Sequence, residues 1–298
     1  MTLYTNIDSN KRKTAFLLGI FLLIVIVLGW LISYIYDSPI ILWLAVVIAF
    51  GQALFGYYSG DKIALTVSGA RLIEKKDNPT IYNIVENLSI TSGLPMPKVF
   101  IIDDPMPNAF ATGRDPGHAS IAVTSGLLNE LQKPEIEGVI AHELSHIGNY
   151  DIRLMTIVVV LVGAISLISD LFLRFRFFNF SGRDRDSGGG QMQLILLVVA
   201  ILAAILAPIA ATLIQLAISR KREFLADSTG ALLTRYPEGL ASALSKISKY
   251  HRPLKRATGA TAHLYIENPL GKKQSYLSKL FSTHPPVEER IAALTGKK

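Results

Sequence analysis

The stretch Ala141-His142-Glu143-Leu144-Ser145-His146 sets the fold around it, because its pattern H-E-x-x-H works only on a helix. Residues four apart lie one helical turn apart on the same face, so His142 and His146 can share one metal ion. Catalytic zinc takes three protein ligands and leaves one position open for water, so this stretch is one ligand short. Glu143 stands beside the first histidine, where it can reach that water as a general base.

The helix that carries this pattern is predicted to span Pro134–Asn149. Proline occupies a first-turn position, Glu135 and Glu137 follow it, and Gly148 suits a helix end. The alternative is a solvated amphipathic helix with two surface histidines. Its apolar flanks, and the membrane span that is predicted directly after Asp151, favour the zinc site.

The third ligand has to be His, Asp or Glu, because the chain contains no cysteine. Metzincins take another histidine from an extended motif, but here Asn149 and Ile152 occupy the corresponding positions. Glu223 and Asp227 lie four residues apart in a second predicted helix. We assign Glu223 as the ligand and Asp227 as the acceptor for the free N–H of a ligand histidine. The alternative is a surface ion pair, since Glu223 follows the basic run Arg220-Lys221-Arg222.

Half of the residues are hydrophobic, and four apolar stretches approach or exceed the roughly 18 residues that cross a bilayer as a helix. A cleaved signal peptide is the alternative for the first stretch. Its apolar run is too long for that, and no small-residue cleavage site follows it. We therefore predict two transmembrane hairpins, formed by Thr14–Tyr36 with Pro39–Tyr58 and by Leu154–Leu173 with Met192–Ile218.

Basic residues indicate how these spans are oriented. Lys11-Arg12-Lys13 precede the first span, Lys62 follows the second, and Arg220-Lys221-Arg222 follow the fourth, which places all three groups in the cytoplasm. The arginine-rich loop between the third and fourth spans departs from this rule. The net charge of +7 could indicate nucleic-acid binding, but the basic residues cluster at span ends, where anionic lipid explains them. The predicted partner is therefore the lipid bilayer and not nucleic acid.

The chain is predicted to divide into four parts. A transmembrane hairpin at 1–59 precedes the first part of the catalytic domain at 60–153. A second transmembrane hairpin at 154–219 precedes the second part of the catalytic domain at 220–298. The predicted fold class is an α-helical membrane protein with an α+β cytoplasmic zinc-peptidase domain.

The first part of the catalytic domain mixes helix and strand. Apolar residues recur at helical spacing over Asn78–Ser92, and Pro97–Asp103 has the composition of a short buried strand. A hairpin should follow, with strands at Asn108–Thr112 and Ala119–Thr124 around a turn at 113–117.

Four motifs occur in this order: PNAFATG at 107–113, HELSH at 142–146, REFLAD at 222–227 and STHPPVEER at 282–290. Together they resemble those of HtpX-type membrane zinc metalloproteases of the gluzincin group, which are related to the prenyl-protein (CAAX) proteases. The resemblance covers nearly the whole chain. It implies a zinc metalloendopeptidase with one Zn²⁺ per chain, at the plasma membrane with a cytoplasmic catalytic domain. Its implied substrates are misfolded or damaged membrane proteins, within bacterial envelope quality control.

The resemblance also implies roles for individual residues. It assigns metal binding to His142, His146 and Glu223, and catalysis to Glu143. It further implies contacts with the substrate or the transition state for Asn108, His284 and Arg290. A histidine N–H aimed at the developing oxyanion commonly contributes about 10²–10³ in rate, which is the role considered for His284. The alternative is that His284 only begins a helix.

Asn108-Ala109-Phe110 is a candidate substrate-binding segment. An exposed edge strand beside the zinc can pair with an extended peptide through main-chain hydrogen bonds. The alternative is that the segment is only a turn and the start of a strand. His118, His251 and His263 have no partner at ligand spacing, so we predict loop or surface positions for them.

Two other functions are compatible with parts of the sequence. A membrane scaffold or transporter component could hold structural zinc, but a structural site needs no adjacent base such as Glu143. A transporter should also carry polar residues in the middle of its spans, whereas Asp170 and Gln215 lie toward span ends. A protease with H-E-x-x-H inside a membrane helix is disfavoured, because residues 134–153 contain too many polar side chains to lie in lipid.

Overall fold

The computed structural model describes residues 3–35, 37–164, 220–250, 252–271 and 285–296. Several sequence predictions lie outside these ranges. They are the fourth span Met192–Ile218, the third span beyond Ala164, and the positions of His251 and His284. The roles of these segments and residues stay predictions.

The N-terminal region is a pair of long apolar helices, α1 (Leu3–Ile35) and α2 (Pro39–Val67). Pro39 occupies the first turn of α2, where its missing N–H costs no hydrogen bond. Large apolar side chains such as Phe16 and Trp43 are exposed on the two helices, as expected of surfaces that face lipid. Stretches within them, Ile7–Leu31 and Pro39–Val67, are long and apolar enough to cross a membrane.

Helix α6 (Asp151–Ala164) follows the helix that carries His142 and His146, after a sharp bend of 83°. Together with the helix before it, α6 passes the length and composition test for a span as one bent unit. The described residues therefore contain two candidate spans, or up to three if the bent pair is one span, and the four-span arrangement stays a prediction. The described part of α6 is largely buried, because it packs against α1 and α2 through residues such as Leu154 and Val158.

Within the described ranges, the chain between α2 and α6 contributes four strands to one mixed sheet. The strands are β1 (Ala70–Leu72), β2 (Lys98–Ile102), β3 (Ala109–Gly113) and β4 (Ala119–Thr124), in the order β1-β2-β4-β3. The predicted hairpin is confirmed, since β3 and β4 pair in antiparallel fashion. β2 pairs in parallel with β4, which returns the chain to the middle of the sheet.

The helices of this domain begin and end where local chemistry predicts. In α3 (Pro79–Ser92) the Asn78 side chain accepts a hydrogen bond from the Ile81 amide at 3.3 Å, and Gly93 ends the helix at φ 68°. α4 (Ser125–Glu130) is short. In α5 (Lys133–Gly148) the Glu135 carboxylate accepts from the Gln132 amide at 2.7 Å. Beyond α6, the described residues form the α-helices α7 (Arg220–Thr234), α8 (Pro237–Ile247) and α9 (Val287–Thr295).

The sheet separates two apolar layers. One face packs on α3, α5 and α8 through residues such as Ile121, Val85 and Ile140. The other face carries Phe110 and packs toward α2 and α6. Burial of these side chains stabilises the domain by about 25 cal/mol per Å² of apolar surface. The sheet thus holds α5 on one side and the membrane-proximal helices on the other.

Candidate metal centre

Three side chains from α5 and α7 converge at a buried point. The ring Nε2 atoms of His142 and His146 lie 3.2 Å apart. Carboxylate oxygens of Glu223 lie 3.5 Å from Nε2 of His146 and 4.0 Å from Nε2 of His142. One ligand atom from each residue falls within 4.8 Å of the others, and all three residues are buried.

These separations fit a tetrahedral zinc ion. Zinc–nitrogen bonds of about 2.0–2.1 Å in a tetrahedron put neighbouring ligand atoms about 3.3–3.5 Å apart. Carboxylates lie at hydrogen-bond distance from Nδ1 of both rings, so when both rings are neutral their Nε2 lone pairs face each other across 3.2 Å. Two such lone pairs repel unless a cation or a proton lies between them. The arrangement therefore has the chemistry of a divalent metal site.

On one side of the centre, Asp227 supports His142. Its Oδ1 lies 2.9 Å from Nδ1 of His142, and the Arg290 guanidinium donates to both carboxylate oxygens at 2.6 and 2.8 Å. Burial alone would raise the pKa of Asp227, but the hydrogen bonds from Arg290 and His142 outweigh it and lower the pKa to about 2. Burial also lowers the pKa of His142 to about 4. This histidine is held neutral, as a metal ligand must be.

On the other side, Asp151 supports His146. Its Oδ2 lies 2.9 Å from Nδ1 of His146. Burial would lower the pKa of His146, but the bond to Asp151 and the charge of Glu223 outweigh it and raise the pKa to about 9. Without a metal ion His146 therefore tends to carry a second proton on Nε2, which a bound metal would displace. Asp151 was not among the residues predicted from the sequence, although a carboxylate just past the helix of His142 and His146 was a signal that could have identified it.

Glu143 lies on α5 between the two histidines and is 2% exposed. Its carboxylate is close enough to His146 to help raise the pKa of that ring. The predicted general base is thus buried at the same centre as the candidate ligands.

Close packing of helices brings Glu223 to this centre. A Cβ atom on Gly230 of α7 would lie 3.0 Å from the backbone nitrogen of His142, so a larger residue there would push α7 and α5 apart by a few tenths of an ångström. Glu223 lies seven residues before Gly230, which is two turns along the same face of α7. A Cβ atom on Gly138 of α5 would lie 2.7 Å from the Leu240 nitrogen, so Gly138 allows α8 to pack closely against α5.

Arg290 is held by the protein at this centre. Its side chain is 0% exposed, and it donates to Asp227 and, at 3.3 Å, to the carbonyl oxygen of Ile266. Nη1 also lies 3.7 Å from Glu223. These bonds orient Asp227. The predicted contact of Arg290 with substrate or transition state stays a prediction.

The segment Asn108-Ala109-Phe110 lies at the edge of the sheet, but it is not the exposed strand that the sequence predicted. All three residues are at most 2% exposed. The Asn108 amide donates to the Glu267 carbonyl at 2.9 Å, and the Ile266 amide donates to the Ala109 carbonyl at 3.0 Å. The chain around Ile266 therefore covers the start of β3. The alternating register directs the backbone groups of Ala111 to the outer edge.

The prediction for His263 is wrong. This residue is 0% exposed, and its Nε2 lies 2.9 Å from the Met155 carbonyl oxygen. Burial follows from the packing of the chain around His263 against α6, a contact between distant segments that spacing cannot reveal. His118 is exposed and pairs with Asp115 at 2.8 Å, as a surface residue does.

Comparisons with known proteins agree with this geometry. The pattern of Peptidase family M48 matches residues 75–298. The Protease HtpX homolog of Tropheryma whipplei (strain Twist) is 49% identical over 98% of this chain and 97% of its own length. The Protease HtpX homolog of Dictyoglomus turgidum is 48% identical over 98% of this chain and 94% of its own length.

A solved structure is similar in fold. The crystal structure of S. mikatae Ste24p matches with a TM-score of 0.51 and 21% identity, covering 98% of this chain and 66% of that one. At this identity the similarity concerns the fold alone. The family pattern and the full-length relatives carry the assignment: the chain belongs to peptidase family M48.

Proposed function

We propose that this membrane metalloprotease is a zinc-dependent endopeptidase that hydrolyses misfolded or damaged membrane proteins at the cytoplasmic membrane surface. Membership of peptidase family M48 gives the coarse activity. The metal, the substrate class and the residue roles are our proposal. The observation that carries it is the buried group of His142, His146 and Glu223, with Glu143 on the same helix.

In this proposal His142, His146 and Glu223 hold one Zn²⁺. When bound, zinc supplies Lewis acidity and lowers the pKa of a water molecule toward about 7. Glu143 would accept a proton from the attacking water as its oxygen bonds to the peptide carbonyl carbon, and would pass that proton to the amine as the C–N bond breaks. Asp227 and Asp151 keep the Nδ1 protons of the two rings in place, so that both Nε2 lone pairs point at the metal.

Substrate binding is proposed at the edge of β3. The backbone groups of Ala111 point away from β4 there, although Ala111 itself is only 2% exposed. A peptide that reaches this edge would add main-chain hydrogen bonds to the sheet. Asn108, Ala109 and Phe110 support this edge by their packing and by the bonds to the chain around Ile266. Recognition through main-chain groups gives broad sequence selectivity, which suits damaged proteins as substrates. The substrate class itself rests on the resemblance in motifs.

The orientation in the membrane is also a proposal. Both parts of the catalytic domain have to lie on one side, because His142 and Glu223 meet although the predicted second hairpin separates them in sequence. The basic runs at the span ends favour the cytoplasm. Tags at residues 1 and 298 should be protected from labelling in sealed cells and become accessible after permeabilisation. Labelling of either end from outside would contradict this arrangement.

The replacement Glu143→Gln tests the proposed mechanism. It keeps the size of the side chain and all three candidate ligands but removes the base, so proteolysis of an unfolded casein-like substrate should fall about 10²–10⁴-fold. Zinc content, measured on the purified full chain, should not change.

Glu137→Gln is the matched control, because Glu137 lies on the same helix and its ion pair among the described residues is with Lys133, at 3.8 Å. It should keep full activity, and a chelator should abolish the activity of both this control and the wild type. Full proteolysis by Glu143→Gln would refute the mechanism. A scaffold or transporter component with structural zinc would show no chelator-sensitive proteolysis in any variant.

A further inference from the structure

The carboxylate of Asp151 has a second oxygen that faces away from His146. Oδ2 contacts the histidine, whereas Oδ1 accepts from the Asn10 side-chain amide at 2.7 Å and from Arg222 Nη1 at 3.2 Å. Asp151 is 2% exposed. Its orientation is therefore fixed by three hydrogen bonds within the protein.

Asn10 belongs to α1, the first membrane helix, and lies about 140 residues from Asp151 in sequence. Both the amide nitrogen and the amide oxygen of its side chain have partners. The nitrogen donates to Asp151 and, at 2.9 Å, to the Asn149 carbonyl oxygen, and the oxygen lies 3.3 Å from Arg222 Nη1. Asn10 is itself 2% exposed. A buried amide without partners would lose its hydrogen bonds to water without replacement, so these bonds hold the side chain in this orientation.

The place where Asn10 binds is the bend between α5 and α6. Tyr150, in the middle of the bend, has a φ of 60°, which is unusual for a residue with a side chain. Asn10 contacts the residues on both sides of it, Asn149 and Asp151, and the Lys11 ammonium lies 4.7 Å from the centre of the Tyr150 ring. Two consecutive residues of α1 thus hold the bend that presents Asp151 to His146.

We propose that Asn10 is a positioning residue of the metal centre, acting on His146 through Asp151. This inference rests on the proposed function. It places part of the support of the centre outside residues 75–298, the region that matches the family pattern. The first membrane helix is then a component of the metal centre as well as an anchor.

Apolar packing alone would dock α1 without Asn10. Leu17 and Phe21 of α1 already pack against Leu154, Val158 and Leu161 of α6. A polar residue two turns before this contact adds direction and not apolar area. Removing the hydrogen-bond partner of a ligand histidine typically weakens metal binding about 10–100-fold, so Asp151→Ala should lower zinc affinity by a factor in this range. Asn10 is one bond further from the metal, so Asn10→Ala should weaken binding by about 10-fold or less.

The test measures the affinity of the detergent-purified full chain for Zn²⁺ in a chelator-buffered titration, without an activity assay. Asn10→Ala should bind Zn²⁺ several-fold more weakly than the wild type. Thr14→Ala is the matched control, because Thr14 is also buried on α1 and, in the part of the chain that the structure describes, its hydroxyl donates to the Asn10 backbone oxygen at 2.9 Å. It should bind like the wild type. In an Asp151→Ala background, Asn10→Ala should cause no further loss.

Asn10→Asp separates positioning from packing. It keeps the size of the side chain but sets a carboxylate against Asp151, so binding should be at least as weak as in Asn10→Ala. Three results would overturn this inference but not the proposed function. The first is that Asn10→Ala binds Zn²⁺ as tightly as Thr14→Ala and the wild type. The second is wild-type affinity of Asn10→Asp, and the third is an undiminished effect of Asn10→Ala in the Asp151→Ala background. A wild-type chain that binds no Zn²⁺ would overturn the proposed function together with it.

Discussion

The two histidines of the metal centre are supported in different ways. On the His142 side, Asp227 and Arg290 come from α7 and α9, which both lie within the region that matches the family pattern. On the His146 side, Asp151 lies at the start of α6 and is held by Asn10 of the first membrane helix. The hydrogen bond to the ring is 2.9 Å long on both sides.

The two sides also differ in their access to water. Arg290, which holds Asp227, is fully buried, whereas the Arg222 side chain, which contacts Asp151, is 11% exposed. A buried charge that loses its partner cannot be solvated, but a charge near the surface can turn toward water. The His142 side should therefore be essential for folding, while the His146 side should chiefly tune the metal.

Glu223→Ala should have the largest effect, because Glu223 faces both histidines and so serves both sides equally. We expect metal binding to weaken well beyond the roughly 10–100-fold expected for an outer carboxylate, with loss of proteolysis. Zinc content per chain after dialysis measures this. Glu238, which lies on α8 outside the centre, provides the control Glu238→Ala. Unchanged zinc content in Glu223→Ala would move the third ligand elsewhere.

Asp227→Ala should be next, and its effect should appear in stability. It leaves the Arg290 charge buried without its main partner, which costs about 3–5 kcal/mol. We expect a clear drop in the unfolding midpoint of the metal-free full chain in detergent, in addition to weaker zinc binding. A metal-free Asp227→Ala protein as stable as the wild type would show that Arg290 is not held as the structure indicates.

Asp151→Ala should have the smallest effect on stability. Zinc affinity should still fall about 10–100-fold, because His146 loses the acceptor that orients its ring. The metal-free protein should be destabilised less than Asp227→Ala, since Arg222 can reach solvent. Comparing the unfolding midpoints of the two metal-free variants checks this. Equal destabilisation by both would remove the difference between the two sides.

Local patterns predicted most of the His142 side. His142, Glu143 and His146 were identified from spacing on one helix, and Glu223 and Asp227 from the same spacing on another. The structure brings these residues together at one buried point. Spacing is sufficient here because each helix fixes which residues share a face.

Spacing could not predict the His146 side. Asp151 lies five residues after His146, beyond the end of α5, and it reaches the ring only because Tyr150 adopts a positive φ. Nothing in a tyrosine signals that conformation. Asn10 is further removed still, since its position depends on how α1 packs against α6. Tertiary packing decided both contacts.

The same limit explains the errors in the fold. The helix predicted at Asn78–Ser92 and the strand at Pro97–Asp103 agree with α3 and β2 to within a residue at each end. The exposure of β3 was predicted wrongly, because the chain around Ile266 covers its start from about 160 residues away. A sequence can predict that a strand lies at the edge of a sheet. It does not predict which distant segment of the chain covers that edge.

X-ray absorption at the zinc edge of the purified full chain shows directly whether His142, His146 and Glu223 bind zinc. We expect one zinc per chain with two imidazole nitrogens at about 2.0–2.1 Å and oxygen in the remaining positions. His142→Ala should lose the two-imidazole signature, whereas the surface variant His118→Ala should keep it. A zinc ion without imidazole ligands, or a catalytically active chain that contains no zinc, would contradict the proposed zinc centre.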